Sequence, residues 1–158
     1  MINQDGLSID LGDFEKKMGE LQNKIAPEAV ERAMALAGMQ ALNDAVMDSP
    51  TVPLDEGTLR GSGSVFVNNK LIGTSDQNVH TGNPTPAKQH SEFIPPGAVI
   101  AVVGFNTPYA ARLHEHPKYN FAEPGSGGKF LSHKLTNNRN DYMRIVARAI
   151  REDISRKT

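Results

Sequence analysis

Four clusters in this sequence hold side chains or loops able to do chemistry. His114-Glu115-His116 sets two imidazoles around a carboxylate, with His133 as a further imidazole downstream. Such groups hold a cation and activate water in metal-assisted hydrolases. The spacing argues otherwise. Zinc-protease helices carry histidines four apart with a glutamate between them. Histidines two apart share a face only in a strand, and in a helix they diverge by about 200°. Pro117 follows at once and blocks helical continuation. These imidazoles are therefore expected to be structural and to hold no metal; a small hydrolase using His114 and His116, with His133 as third ligand, is the competing class. Gly61-Ser62-Gly63-Ser64 lacks the lysine of a phosphate loop and the spacing of a nucleophile elbow; it reads as a flexible lead-in to a strand. Gly125-Ser126-Gly127-Gly128-Lys129 follows no predicted strand and has Phe130, not serine or threonine, directly after its lysine, and reads as a hinge. Asp55 and Glu56 are adjacent, so their side chains diverge. The expectation is a protein with no catalytic residue and no cofactor.

Composition narrows the classes further. The chain has 158 residues, no cysteine and 38% apolar residues, which suits one domain over 1–158. The missing cysteines exclude a disulfide scaffold, an iron–sulfur cluster and a thiol nucleophile. Apolar runs such as residues 98–104 fall far short of the roughly 18 residues that span a membrane, and the start lacks a basic, apolar leader; synthesis in the cytosol with no membrane association is expected. The net charge of −1 hides a gradient: residues 1–60 carry 5 basic and 11 acidic side chains, residues 61–128 carry 4 and 4, and residues 129–158 carry 8 and 3. Two readings follow. Either both ends are solvated helix faces that cancel on packing, or opposite charge on separate surfaces suits copies that dock in one direction. A nucleic-acid accessory protein would use the basic end with Phe130 and Tyr142, but Asp141, Glu152 and Asp153 interrupt its arginines, so a solvated cationic face is expected.

The elements that must position these groups are helices at both ends of a small sheet. Leu7, Ile9 and Leu11 alternate with Ser8 and Asp10, as in a short strand or extended arm over residues 1–12. Phe14, Met18, Leu21 and Ile25 form one helical stripe, with Asp13 as N-cap. Pro27 opens a second helix, lined by Val30, Met34, Ala37, Ala41 and Ala45 and widened by Met39, Leu42 and Val46. Pro50 and Pro53 end it. Ser64-Val65-Phe66-Val67 and Leu71-Ile72-Gly73-Thr74 flank Asn68-Asn69-Lys70, the pattern of a β-hairpin. Residues 99–105 are apolar almost throughout, as in a strand covered on both faces. Residues 75–98 carry His80, Pro84, Pro86, His90 and Phe93 without apolar periodicity, whereas ordinary connections run roughly 4–6 residues. They read as a projecting, partner-contacting loop or as an insertion without function. A last helix over residues 138–154 is lined by Leu135, Tyr142, Val146, Ile150 and Ile154. The fold class is α+β with a mainly antiparallel sheet.

Three stretches then stand out in order: Pro53-Leu54-Asp55-Glu56-Gly57-Thr58-Leu59-Arg60-Gly61-Ser62, the run from Val102 through Asn106-Thr107-Pro108-Tyr109-Ala110 to His114-Glu115, and Gly128-Lys129-Phe130-Leu131. Together they resemble the tailed-bacteriophage head–tail joining, or tail-completion, proteins. That group shows a Pro-x-Asp-x-Gly-x-Leu-Arg-type turn, a strand into Asn-x-x-Tyr-Ala with a downstream His or Glu, and an aromatic-leucine element before the C-terminal helix. The chain departs from it in having Glu56 where threonine is frequent, and in the length of the 75–98 segment. Physical reasons suit the positions. Asp55 is suited to cap a turn and Gly57 to take a positive φ, so that Leu59 is expected to point inward; Pro108 is expected to stiffen a turn, and Tyr109 to pack its ring while its hydroxyl reaches a polar partner.

The resemblance implies a structural virion protein at the head–tail junction, made in the host cytoplasm. Copies would form a ring between the portal adaptor and the tail tube or tail terminator, with genomic DNA passing through the lumen unread. It marks Asp55, Gly57, Leu59, Arg60, Asn106, Tyr109, His114, Glu115, Lys129 and Phe130 as framework or interface positions, and His80, Pro84, Pro86, His90 and Phe93 as the loop that reaches a neighbouring ring.

Overall fold

The computed structural model describes residues 25–53, 58–75, 94–116 and 118–156. The expected arm, the helix over residues 13–25 except its last residue, the 76–93 part of the long segment, and Asp55 and Gly57 lie outside them. Helix α1 (Pro27–Met47) starts after an extended Ala26, with Pro27 in its first turn and Glu28 near its positive end. Its buried face is a row of small residues, Ala29, Ala33, Ala37, Ala41 and Ala45, with Gly38 and Leu42 beside it. Val30 and Met34, expected in that row, are half-buried at its margins. Small side chains occupy the centre because two other layers approach closely there. A Cβ on Gly38 would lie 2.7 Å from Val65 Cγ1. Gly38→Ala is therefore expected to destabilise by about 1–2 kcal/mol, the overpacking cost of about 1–3 kcal/mol exceeding the helix-propensity gain of about 1 kcal/mol. Denaturant midpoints at constant slope check this.

The helical turn α2 (Thr58–Gly61) leads into β1 (Gly63–Val67), which turns into β2 (Lys70–Thr74). Asn68 and Asn69 have φ of 46° and 66°, the left-handed pair that matches the twist of a tight hairpin. Lys70, expected in the turn, is the first residue of β2. Strand β3 (Ala101–Phe105) pairs antiparallel with β1 in five consecutive positions, giving the order β2-β1-β3. Asn68 extends that edge: its N–H donates to Ile100 O and its Oδ1 accepts from Ile100 N, each at 3.0 Å. β3 was expected to be covered on both faces; it is an outer strand, and all five of its residues are only half-buried. Its apolar run therefore reflects an edge with apolar neighbours and not a central position.

After β3 come α3 (Ala110–Glu115), α4 (Phe130–Asn137) and α5 (Arg139–Arg156). The expected final helix is present, but a separate helix precedes it. The break at Asn138 changes the phase, so Leu135, expected in the buried stripe, is 46% exposed and Lys134 is buried instead. Tyr142 is buried, and Val146, Ile150 and Ile154 are half-buried. α5 packs along α1, where Ala37, Ala41 and Tyr142 form a cluster edged by Val103, Ile145 and Val146. Arg32 of α1 meets Asp153 of α5 at 2.5 Å, a pairing opposite in sense to the gross charge gradient. The other core cluster joins Ala45, Val52, Leu59, Ala110 and Phe130. The architecture is α+β, and no described helix is long and apolar enough to cross a membrane.

Candidate functional site

The second core cluster is where the three singled-out stretches meet. Leu59 is buried in it, as expected. Arg60 turns the other way: Nε and Nη2 donate to Val52 O at 3.1 and 2.6 Å, and Nη2 also reaches Glu123 at 2.6 Å. One guanidinium thus fixes the chain after α1 to the segment before α4. Gly61-Ser62-Gly63-Ser64 is wholly buried and is no flexible lead-in. Ser62 Oγ donates to Leu59 O at 2.7 Å and accepts from Asn106 N at 3.0 Å. A Cβ on Gly63 would lie 2.7–2.8 Å from Leu42, Phe105 and Ser75, so this glycine permits close packing.

The second stretch leaves β3 at Asn106, whose N–H is held by Ser62, and turns into α3 through Ala110 N donating to Thr107 O at 3.1 Å. Tyr109 was expected to pack its ring; it is 39% exposed, because it precedes the first helical turn and Ala110 fills the inward position. His114 is half-buried, its Nδ1 2.8 Å from Glu115 Oε1 and its Nε2 accepting from Ser132 N at 3.2 Å. Glu115 also pairs with Lys129. Lys129, first, and His114 hold its carboxyl below the ordinary carboxylate value. The contribution of that ion cluster is present above pH 4.5 and fades as pH falls through the lowered value.

The third stretch closes the node. Lys129 has φ of 57°, and its N–H donates to His114 O at 2.7 Å. That turn drops Phe130 into the core, 2% exposed, edge-on to Phe105 at 5.5 Å and to His114 at 4.9 Å. The glycines before it are no free hinge. Thr51 N donates to Gly125 O and Gly127 N to Thr51 O, and a Cβ on Gly127 would be 2.9 Å from Pro50. His116 packs edge-on to Tyr119, and His133 Nε2 lies 2.8 Å from Asn137. The structure thus gives the three histidines separate partners, and among the described residues no three His, Asp or Glu side chains are placed to hold one metal ion.

Sequence reasoning missed a second polar centre. Asp44, buried in α1, accepts from Tyr142 Oη at 2.8 Å, Gln40 Nε2 at 2.6 Å and Asn138 Nδ2 at 3.3 Å. Lys134, 2% exposed, donates to Ser49 O at 2.8 Å. The signal available in advance was an acidic residue between Ala41 and Ala45 on a buried face. Burial pulls the Lys134 ammonium below its ordinary value of 10.5, against the pull of Asp48 and Asp44. Burial, and then the bond to Asp44, push the Tyr142 hydroxyl well above 10. The Lys134 contribution should accordingly rise with pH from its lowered folded value up to 10.5, where only the unfolded lysine still holds the proton, and the Tyr142 contribution should fall above 10, where only the unfolded tyrosine ionises. Denaturant titrations across the alkaline range check this: Lys134→Met should remove the rise and Tyr142→Phe the fall.

Beside the node is an open groove of about 240 Å³ lined by residues that include Leu113, Phe121, Glu123 and Ser126. Glu123 is committed to Arg60 and to Ser126 Oγ, which donates to it at 2.8 Å. These groups brace the chain; they form no nucleophile–base pair. The arrangement tethers the sheet, α3 and α4 to one another. Comparisons with family models, curated proteins and solved structures gave no match to this chain.

Proposed function

We propose that this chain is a subunit of the head–tail connector of a tailed bacteriophage, part of the neck or tail-completion ring between the portal adaptor and the tail. The observation that carries the reading is the convergence of the three resembling stretches. Leu59 and Arg60, Asn106 and His114-Glu115, and Lys129-Phe130 meet in one node through Ser62, Glu123 and the Phe105–Phe130–His114 ring contacts. Residues that carry a family resemblance and brace one another are fold-bearing, and this leaves the outer surfaces to partners. Two such surfaces are apolar or basic: Leu71 and Ile72 of β2 are 44% and 40% exposed, and α5 presents exposed Arg144, Arg148 and Arg151 at helical spacing. Copies would stack in a ring around passing DNA without reading its sequence, and the isolated chain would be a monomer or weakly associated.

Deleting the chain from a phage that carries it should leave full heads and finished tails unjoined, and adding back the purified chain should join them. A His116→Ala/His133→Ala chain should join them as well as the unaltered one. Normal particles without the chain would sink the proposal, as would chelator-sensitive turnover lost in that double variant.

A further inference from the structure

Helix α1 lies on the described sheet of three strands, and α5 lies along α1. α1 crosses β1 and β3 at Gly38 and reaches β2 through Met39, which sits against Gly73. α5 lies on the β3 side of α1, since Tyr142, Ile145 and Val146 gather with Val103 around Ala37 and Ala41. Packed helices are about 8–10 Å apart and paired strands about 4.7–4.9 Å apart, so two helices cover about four strands. β2, β1 and β3 account for three, which leaves room for one more strand on the α5 side, at the outer edge of β3. The two edges of the sheet also differ. β2 begins with Lys70 and carries a bulge at Ile72, where Val65 and Phe66 face Gly73 and Leu71; charge and bulges discourage pairing. β3 has no charge, proline or bulge in Ala101–Phe105 and keeps straight register with β1 over all five residues. Among the described residues no strand pairs with its outer side. Such an edge is a template for an added strand.

We propose that the outer edge of β3 is a strand-acceptor site whose occupant is residues 7–11 of a second copy of this chain. Leu7, Ile9 and Leu11 alternate with Ser8 and Asp10, the pattern of a strand with one covered and one solvated face. The apolar set would meet half-buried Ile145 and Val146 of α5, and the length matches the five residues of β3. Charge complementarity favours the pairing. Residues 1–13 carry Asp5, Asp10 and Asp13 and no basic side chain, whereas α5 carries five arginines against Asp141, Glu152 and Asp153, of which Asp153 is engaged by Arg32 of its own chain. Each copy then offers one donor and one acceptor, a heterologous contact that propagates head to tail and closes when the rotation divides the circle. The inference rests on the reading above only in requiring that copies associate.

The test uses the full-length Ile9→Pro chain, whose own segment cannot pair, and a synthetic peptide of residues 4–13. Saturating peptide should slow amide exchange at residues 101–105 roughly tenfold and leave residues 70–74 unchanged; the same peptide carrying Ile9→Pro should do nothing. The unaltered chain should show this protection only at concentrations where sedimentation shows association, and Ile9→Pro should abolish both while circular dichroism stays the same. No protection by saturating peptide overturns the site, and concentration-independent protection in the unaltered monomer overturns the second copy as occupant. If the Ile9→Pro chain still joins heads to tails, this proposal fails and the connector reading stands. If peptide protects but particles form without the chain, the connector reading fails and the site stands.

Discussion

Phe130→Ala should destabilise the fold by about 3–5 kcal/mol, the range for emptying a buried aromatic site, a large share of the 5–15 kcal/mol that holds an ordinary domain together. The ring is 2% exposed and is the largest of the fully buried side chains among the described residues. Its neighbours cannot collapse into the space. Ala45, Val52, Leu59 and Ala110 come from four segments, each pinned by its own backbone or guanidinium hydrogen bonds, and the edge contacts with Phe105 and His114 add about 0.5–1.5 kcal/mol each beyond area. Phe130→Leu, which keeps most of the volume, should lose much less. Equilibrium denaturation followed by circular dichroism reads both. A loss below about 1 kcal/mol for Phe130→Ala would show that α4 does not anchor the node.

Asp44→Ala should cost about 3 kcal/mol for a different reason. The carboxylate serves Tyr142, Gln40 and Asn138 at once, and a hydrogen bond to a charged group contributes about 1.5–3 kcal/mol. Removing the acceptor also leaves the buried Tyr142 hydroxyl without one. Tyr142→Phe alone should cost less, and the double variant should be milder than the two losses added together by about 1–2 kcal/mol. A strictly additive cycle would mean that the two groups do not act as one unit. Lys134→Met belongs to the opposite class, because an apolar side chain of similar volume avoids burying an ammonium; little or no loss is expected.

These two variants mark the boundary of what the residues announced in advance. Periodicity and punctuation carried the regular elements: Pro27 and Pro50 bracket α1, the Asn68-Asn69 pair makes the hairpin turn, and the stripe of Tyr142, Val146, Ile150 and Ile154 forms α5. The polar centre was not legible, because Asp44 and Lys134 break the rule that charges face water, and only their partners, Tyr142 and Asn138 for one and the Ser49 carbonyl for the other, explain their burial. The short helix α4 went unseen for the same reason, since a buried lysine next to an exposed Leu135 inverts the apolar pattern. Glycine misled in another way. Gly63 and Gly127 look in sequence like sites of freedom, yet both are places where another segment comes too near for a Cβ. The node could be approached through the order of the three motifs, since no local rule brings Arg60 to Glu123 or Phe130 to Phe105.

The lock between Asp44 and Tyr142 joins residues 98 positions apart, and Arg32 meets Asp153 across 121. Closure of such long loops comes late and slows folding. During synthesis Ala37 and Ala41 of α1, beside Val103 of the sheet, therefore wait for Tyr142 until α5 has emerged. A chain stopped before Arg139 leaves that patch, and Asp44 beside it, without the Tyr142 side chain that covers them, so premature termination should yield an insoluble product rather than a smaller folded one. The last helix thus decides when, as well as whether, the subunit becomes fit to assemble.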